Sequence, residues 1–206
     1  MPARNIEKIY ASEVYYHLYN RGVEKRDIFM DDEDYRVFLN LLKRYLGVEK
    51  FIDKFGREYP NYHERIDLIS YSLMPNHYHL LLWVNDDMAM TDLLRSLATA
   101  YSMYFNKKYK RVGKLFQDRF KASMIRSEEY LWHITRYIHL NSEDIGKKFN
   151  EYKYSSYKYY EGKAQAEWVK PGVIIDMFKE ANQDYKKFHE DYIDYRNSLK
   201  FIDLTE

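Results

Sequence analysis

Residues 66–84 read IDLISYSLMPNHYHLLLWV. Two apolar runs flank Met74-Pro75-Asn76, where the proline and the asparagine favour a turn. The sequence therefore predicts two strands, Ile66–Leu73 and His77–Val84, on either side of this turn. The second strand is apolar on both faces apart from its histidines. This pattern predicts a central position in a sheet that is covered on both sides.

The segments outside this pair complete a recognisable order of elements. Alternation or helical spacing of apolar residues predicts a strand at Val14–Asn20, a helix at Asp34–Leu46 capped by Asp31 or Asp32, a helix from Thr91 to about Tyr109, a strand at Ser123–Ile125 and a helix from Ser127 to about Leu140. The order of the first six elements is typical of an α+β fold with a ferredoxin-like, split βαβ antiparallel sheet and helices on one face.

The chain is expected to divide into a domain at residues 1–145 and a helical C-terminal extension at residues 146–206. Helical periodicity in the extension falls near residues 171–180 and 184–198. No apolar run reaches the roughly 18 residues of a membrane span. The polar segment Met1–Lys8 lacks the apolar core of a signal peptide, so we expect a cytoplasmic protein.

Composition excludes some kinds of site. The chain has 206 residues and no cysteine, so disulfides and thiolate metal sites are excluded. Its net charge is +1, which argues against reliance on non-specific duplex DNA binding but allows a local basic patch.

Two histidines begin the strand that follows the turn. His77 and His79 are two residues apart, and such residues in a strand face the same side. Neutral imidazole is a common ligand for divalent metals, so the pair is a candidate metal site. The alternative is two polar side chains at a strand end that neighbours or water satisfy.

A tyrosine and an asparagine share one face of the last predicted helix of the domain. Tyr137 and Asn141 are four residues apart, and His133 lies close to the same face. A phenol is a possible nucleophile towards phosphorus, and an asparagine carbonyl oxygen suits a hard cation. The alternative is that Tyr137, which borders the apolar stripe of its helix, is simply packed.

A basic segment lies between residues 106 and 126. It contains eight lysines and arginines against one acid, with aromatic residues interleaved. Basic side chains contact phosphates and aromatic rings stack on unpaired bases, so the segment is a candidate for nucleic-acid binding. The alternative is a solvated charged loop. The candidate DNA-binding residues in this segment are Lys107, Lys108, Lys110, Arg111, Lys114, Arg119 and Lys121.

Five ordered motifs together resemble the single-tyrosine HUH transposases, in particular their branch of REP-associated tyrosine transposase-like proteins. The motifs are YNRG at 19–22, MPNHYHLL at 74–81, GKLFQDRFK at 113–121, YIHLN at 137–141 and YSSY at 154–157. The resemblance covers roughly residues 14–160 and implies a ferredoxin-like sheet, which agrees with the order of elements above.

This resemblance implies a specific chemistry. His77 and His79 would ligate Mg²⁺ or Mn²⁺, and Asn141 stands where relatives often supply a third ligand. Tyr137 would attack the scissile phosphate of single-stranded DNA, leaving a 5′-phosphotyrosine and a free 3′-hydroxyl.

The resemblance also implies partners. The DNA would often lie beside a hairpin, and the motif residues Arg21 and Gln117 join the candidate DNA-binding residues. Relatives include monomers and homodimers, and the C-terminal extension favours a monomer.

One feature departs from the family pattern. Relatives tend to have a proline and a basic residue after the helix asparagine, whereas Ser142-Glu143-Asp144 follows here. Acids at this place would repel phosphates. The departure is compatible with a diverged or domesticated copy.

Two other functions remain open. The first is a non-catalytic nucleic-acid-binding module, which the basic aromatic segment also fits. The second is a replication or mobilisation nickase of the same chemistry, and these enzymes often carry a third histidine. No third histidine stands beside His77 and His79 in the sequence, which disfavours the nickase. For the metal-dependent enzyme, we expect activity to fall below about pH 6, because ligand imidazoles must be neutral.

Overall fold

The computed structural model describes residues 11–203, which form four strands and six helices. The strands are β1 (Val14–Arg21), β2 (Ile66–Met74), β3 (His77–Val84) and β4 (Lys121–Ile125). The helices are α1 (Asp32–Leu46), α2 (Asp87–Lys108), α3 (Glu128–Leu140), α4 (Tyr157–Tyr160), α5 (Gly172–Glu180) and α6 (Tyr185–Asp203). Among the described residues, no helix is long and apolar enough to cross a membrane.

The four strands form one antiparallel sheet in the order β2-β3-β1-β4. This is the order of the split βαβ arrangement, so the predicted α+β fold and its ferredoxin-like sheet are confirmed. Strand β3 lies between β2 and β1, as its two apolar faces predicted. In the central pair, Tyr19 lies opposite His79 and Arg21 lies opposite His77.

The two faces of the sheet are covered by different helices. Leu18 and Leu80 face the large core that contains the apolar sides of α1 and α2. Leu81 faces the opposite side, where it packs in a cluster with Ile134 of α3 and Phe178 of α5. The prediction of helices on one face was therefore wrong for α3. The physical reason is that β3 is apolar on both sides, so its second face also needs a cover.

Side-chain caps explain where the helices begin. Asp31 accepts hydrogen bonds from the backbone N–H groups of Glu33 and Asp34, which confirms a cap at the start of α1. Helix α2 begins four residues before the predicted Thr91, because Asp86 caps it through the N–H groups of residues 88 and 89. Ser127 caps α3 in the same way, through the N–H of Tyr130.

The C-terminal helices are joined to α3 by a buried polar cluster around His139. The Nε2 atom of this histidine lies 2.8 Å from Ser156 Oγ, and its Nδ1 atom lies 2.9 Å from Tyr185 Oη. Burial holds the pKa of His139 well below its usual value. The two predicted helical segments are found as α5 and α6, and they share apolar clusters with α3. The division into a domain at residues 1–145 and an extension at residues 146–206 remains a prediction. Residues 1–10 and 204–206 of these two parts lie outside the described residues.

We expect Phe178→Ala to destabilise the whole protein, because Phe178 is 2% exposed and packs in the cluster that covers the second face of the sheet. The loss should be about 3–5 kcal/mol in the free energy of unfolding, measured by urea denaturation. Val112→Ala is the control, since Val112 is 96% exposed. Two separate transitions, or an unchanged midpoint for Phe178→Ala, would show that the C-terminal helices do not share the core.

Candidate active site

The turn between β2 and β3 is clamped by the chain that follows β1. The backbone N–H groups of Ile28 and Phe29 both donate to Pro75 O, at 2.7 and 2.9 Å. The N–H of Gly22 donates to Asn76 O at 2.9 Å. A Cβ atom at Gly22 would stand 2.2 Å from the carbonyl oxygen of Arg26, so this close approach requires glycine. The clamp fixes the residue from which β3 starts.

The two histidines of β3 point to the face that α3 covers. Their ring centroids are 5.0 Å apart, and their planes are nearly perpendicular. His79 is 4% exposed, whereas His77 is partly exposed. Tyr78 between them is buried on the opposite face. Burial lowers the pKa of both imidazoles, so both are neutral at pH 7.

Two asparagines define how His77 is oriented. The Nδ1 atom of His77 lies 2.6 Å from Asn76 Oδ1, which only accepts, so Nδ1 carries the proton. On the other side, Asn141 donates through Nδ2 to Tyr137 O at 2.7 Å. The Oδ1 atom of Asn141 consequently faces His77 Nε2 at 3.5 Å. Two lone pairs thus face each other across a gap, and this arrangement fits a divalent cation between them.

A third histidine, His17 on β1, lies beside His79. The Nε2 atom of His17 is 2.9 Å from His79 Nδ1, and the two rings stack with centroids 5.0 Å apart. The sequence has no third histidine beside this pair, but the fold places one next to it. The register of β1 against β3 brings it there, and a sequence does not reveal that register. Strand alternation was the available signal, because His17 falls on the opposite face from Leu18.

Few side chains near this pair are available as metal ligands. In residues 11–203, no group of three or more His, Cys, Asp or Glu side chains is placed to hold a metal ion. Since Nε2 of His17 is engaged with His79, the atoms that remain are those of His77, His79 and the amide oxygen of Asn141.

Tyr137 is the exposed aromatic residue of α3 next to these histidines. Its ring stands edge-on to His79 and His17, with centroids 5.3 and 5.9 Å away. The side chain is 48% exposed, so solvent reaches it beside the imidazoles. Burial of the remainder raises the pKa of the phenol, and the carboxylate of Asp144 raises it further. The phenol is therefore protonated at neutral pH.

A cleft of about 780 Å³ opens in front of Tyr137. Its floor includes His17 and His79 from the sheet, and its walls come from α3 and α6. Tyr192 and Arg196 of α6 line it, and neither was predicted from the sequence. No local pattern marks them, because only the packing of α6 against α3 brings them to the cleft.

The acids that depart from the family pattern both have partners. Asp144 Oδ1 lies 2.9 Å from Arg196 Nη2 across the cleft wall. Glu143 Oε1 accepts a hydrogen bond from the backbone N–H of Phe149 at 2.7 Å. The charge of Asp144 is thus offset by a basic residue that comes from the C-terminal helix.

Part of the basic segment runs along the end of β1, beside the histidines. Arg21 Nε donates to Gln117 Oε1 at 2.6 Å, and Gln117 N donates to Arg21 O at 2.9 Å. The Nζ atom of Lys121 lies 5.6 Å above the ring of Tyr19, which also lines the cleft. The structure therefore brings Arg21, Gln117 and Lys121 together with the metal and tyrosine candidates.

The remaining basic candidates fall into two groups. Four are exposed on the end of α2 or on the loop before β4: Lys107, Lys110, Lys114 and Arg119. Two are engaged within the protein. Lys108 makes ion pairs with Asp31, Glu33 and Asp34 at 2.7–2.9 Å. Arg111 donates to Asn106 Oδ1 at 3.0 Å.

Several solved structures contain chains similar to this one, including the following two. One is described as the structure of a REP-associated tyrosine transposase bound to a REP hairpin; it has 15% identity and a TM-score of 0.55, covering 82% of this chain and 92% of that chain. The other is a putative transposase from Deinococcus radiodurans R1, with 18% identity and a TM-score of 0.41, covering 64% of this chain and 93% of that one.

Sequence comparison gives the family. No curated protein sequence matches the chain. The model of the family "Transposase IS200 like" matches residues 10–141, which include all four strands, both histidines and Tyr137. Because this match spans more than half of the chain, the protein belongs to the IS200-like transposase family.

Proposed function

We propose that this transposase-family protein cleaves and rejoins single-stranded DNA, with Tyr137 as the nucleophile and Mg²⁺ or Mn²⁺ held by His77, His79 and Asn141. One observation supports this most directly. The exposed phenol stands edge-on to His79, while His77 Nε2 and Asn141 Oδ1 present two facing lone pairs 3.5 Å apart. The proposed nucleophile, together with His79 and Asn141, therefore lines one cleft.

The proposed step exchanges one phosphodiester for another. The Oη atom of Tyr137 forms a bond to phosphorus, and the bond from phosphorus to the 3′ oxygen breaks. The 5′ phosphate becomes joined to the tyrosine, and the 3′ oxygen takes up a proton as the phenol loses one. Attack of a 3′-hydroxyl on the phosphotyrosine reverses the step, so no nucleotide cofactor is needed.

The chain's own residues position the reactants. Asn141 donates a hydrogen bond to the backbone carbonyl of Tyr137 and also faces His77. It therefore links α3, which carries the nucleophile, to β3, which carries the histidines. Asn76 fixes the proton of His77 on Nδ1 and leaves Nε2 unprotonated. A bound divalent cation would supply positive charge close to the phosphate and stabilise the charge that develops there.

The surface beside the cleft suits a phosphate backbone. Arg21, Lys114, Arg119 and Lys121 lie on or next to the end of β1 without an ion pair among the described residues. The fold relative was solved with a REP hairpin, so we propose that this chain also acts next to a DNA hairpin and belongs to the REP-associated branch. Because Tyr137 and His79 of one chain are already adjacent, we propose a monomer with a complete site.

The first test is a covalent-adduct assay with labelled single-stranded hairpin DNA from the flanks of the coding region. With Mn²⁺, we expect a protein–DNA adduct on a denaturing gel that Tyr137→Phe, His77→Ala or a chelator abolishes. Tyr130→Phe is the matched control, because Tyr130 lies on the same helix, lines the same cleft and is 47% exposed. An adduct with Tyr137→Phe would refute the assignment, whereas tight binding without any adduct would favour the binding-module function.

The second test concerns the basic segment. Lys114→Ala and Arg119→Ala should each weaken binding of single-stranded DNA and reduce the slope of log affinity against log salt by about 0.7 for each phosphate that is no longer neutralised. Lys54→Ala is the control, because Lys54 is exposed in the α1–β2 loop, at the end of β2 remote from the turn. Fluorescence anisotropy at several salt concentrations gives both quantities. An unchanged slope would remove these residues from the DNA interface.

The third test concerns pH. Burial lowers the pKa of both ligand histidines below the ordinary value of 6.5, so protons compete with the cation only at lower pH. Adduct formation should therefore be nearly the same at about pH 7.5 and about pH 6.5, and be lost as the pH falls further. Raising the Mn²⁺ concentration should move the midpoint to lower pH. A midpoint above 6.5, or one that does not respond to Mn²⁺, would contradict histidine ligation.

A further inference from the structure

His17 has no part in the chemistry proposed so far, yet it is a buried polar residue that contacts a proposed metal ligand. It is 7% exposed, and its Nε2 atom lies within hydrogen-bond distance of His79 Nδ1, at 2.9 Å. Its neighbours on the same face of the sheet include the apolar Leu81 and Ile125. Burying an imidazole at such a place costs free energy that an apolar side chain would not cost.

Only one proton can lie between the two facing nitrogens. Either His79 donates from Nδ1 and His17 accepts, or the reverse holds. If His17 donated, neutral His79 would carry its own proton on Nε2 and would have no lone pair there. If His79 donates, its Nε2 atom is unprotonated and able to bind a cation. The direction of this one hydrogen bond therefore decides whether His79 can act as a ligand.

We infer that His17 is a positioning residue for the metal site: it accepts the Nδ1–H of His79 and thereby holds that ring in the tautomer and orientation that bind a cation. The inference rests on the proposed metal-dependent function. It gives each ligand histidine a partner at Nδ1, since Asn76 plays the corresponding part for His77 at 2.6 Å. Hydrogen bonds of this kind commonly raise metal affinity by fixing the ligand.

Asn76 and His17 differ in whether they can donate a hydrogen bond as well as accept one. Asn76 Oδ1 can only accept, so the tautomer of His77 is set before a cation arrives. His17 is able to donate or accept, so the tautomer of His79 is set jointly by His17 and by the cation. The stacked rings, inclined by 18°, also restrict rotation of His79. Loss of His17 should therefore weaken metal binding without removing a ligand.

The test is Mn²⁺ binding by the DNA-free protein, followed by the electron paramagnetic resonance signal of free Mn²⁺. His17→Phe keeps an aromatic ring but cannot accept a hydrogen bond, and we expect its affinity to fall about 10–100-fold. His17→Gln places an amide oxygen near the position of Nε2, so it should retain most of the affinity. Ser123→Ala is the matched control, because Ser123 of β4 lies opposite His17 of β1 in the sheet and also lines the cleft.

A second measurement does not depend on a variant that folds. In the wild-type protein saturated with diamagnetic Mg²⁺, nitrogen-15 NMR of the histidine side chains should find the His79 proton on Nδ1. A proton on Nε2 of His79, or equal Mn²⁺ affinity in the wild type and in folded His17→Phe, would overturn the role of His17. Absence of Mn²⁺ binding by the wild type would instead overturn the proposed metal-dependent function, and this inference with it.

Discussion

The antiparallel register of β1 against β3 is the constraint on which the site depends. It sets Tyr19 opposite His79 and Arg21 opposite His77, and it brings His17 within hydrogen-bond distance of His79. A slip of one residue would turn every side chain of β1 to the other face of the sheet. Leu18 would then leave the core under α1 and α2, so burial of the apolar face holds the polar one in place.

The cover on the second face of the sheet then determines the burial and the protonation state of the histidines. Helix α3 covers that face and carries Tyr137 to the imidazoles, and Asn141 follows directly after its last residue. The same cover removes water from His79 and lowers its pKa, because a buried imidazole disfavours the charged form. A sheet with helices on one face only would leave these imidazoles in solvent. Burial therefore keeps these imidazoles neutral as a consequence of packing.

The sequence predicted the features that depend on residues close in the chain. The strands, the helices and the two local pairs, His77 with His79 and Tyr137 with Asn141, follow from periods of two and four residues. His17 was missed because it is 62 residues from its partner, and a register is a tertiary property. The α3 face was missed for a related reason, since the two-sided apolar pattern of β3 indicated a cover without indicating which helix supplies it.

The charge of the cleft depends on a contact of Asp144 that the local sequence does not show. In the sequence it stands as an unpaired acid close to Tyr137, the proposed nucleophile, yet Arg196 approaches it from 52 residues away. The pair is partly exposed, so it contributes little to the free energy of folding. Its effect on a phosphate is of another kind. The Arg196 guanidinium, 2.9 Å from the carboxylate of Asp144, converts a single negative charge into a dipole. The potential of a dipole falls off faster with distance than that of a single charge. The C-terminal helix thus offsets the charge of Asp144, which would otherwise repel a phosphate in the cleft.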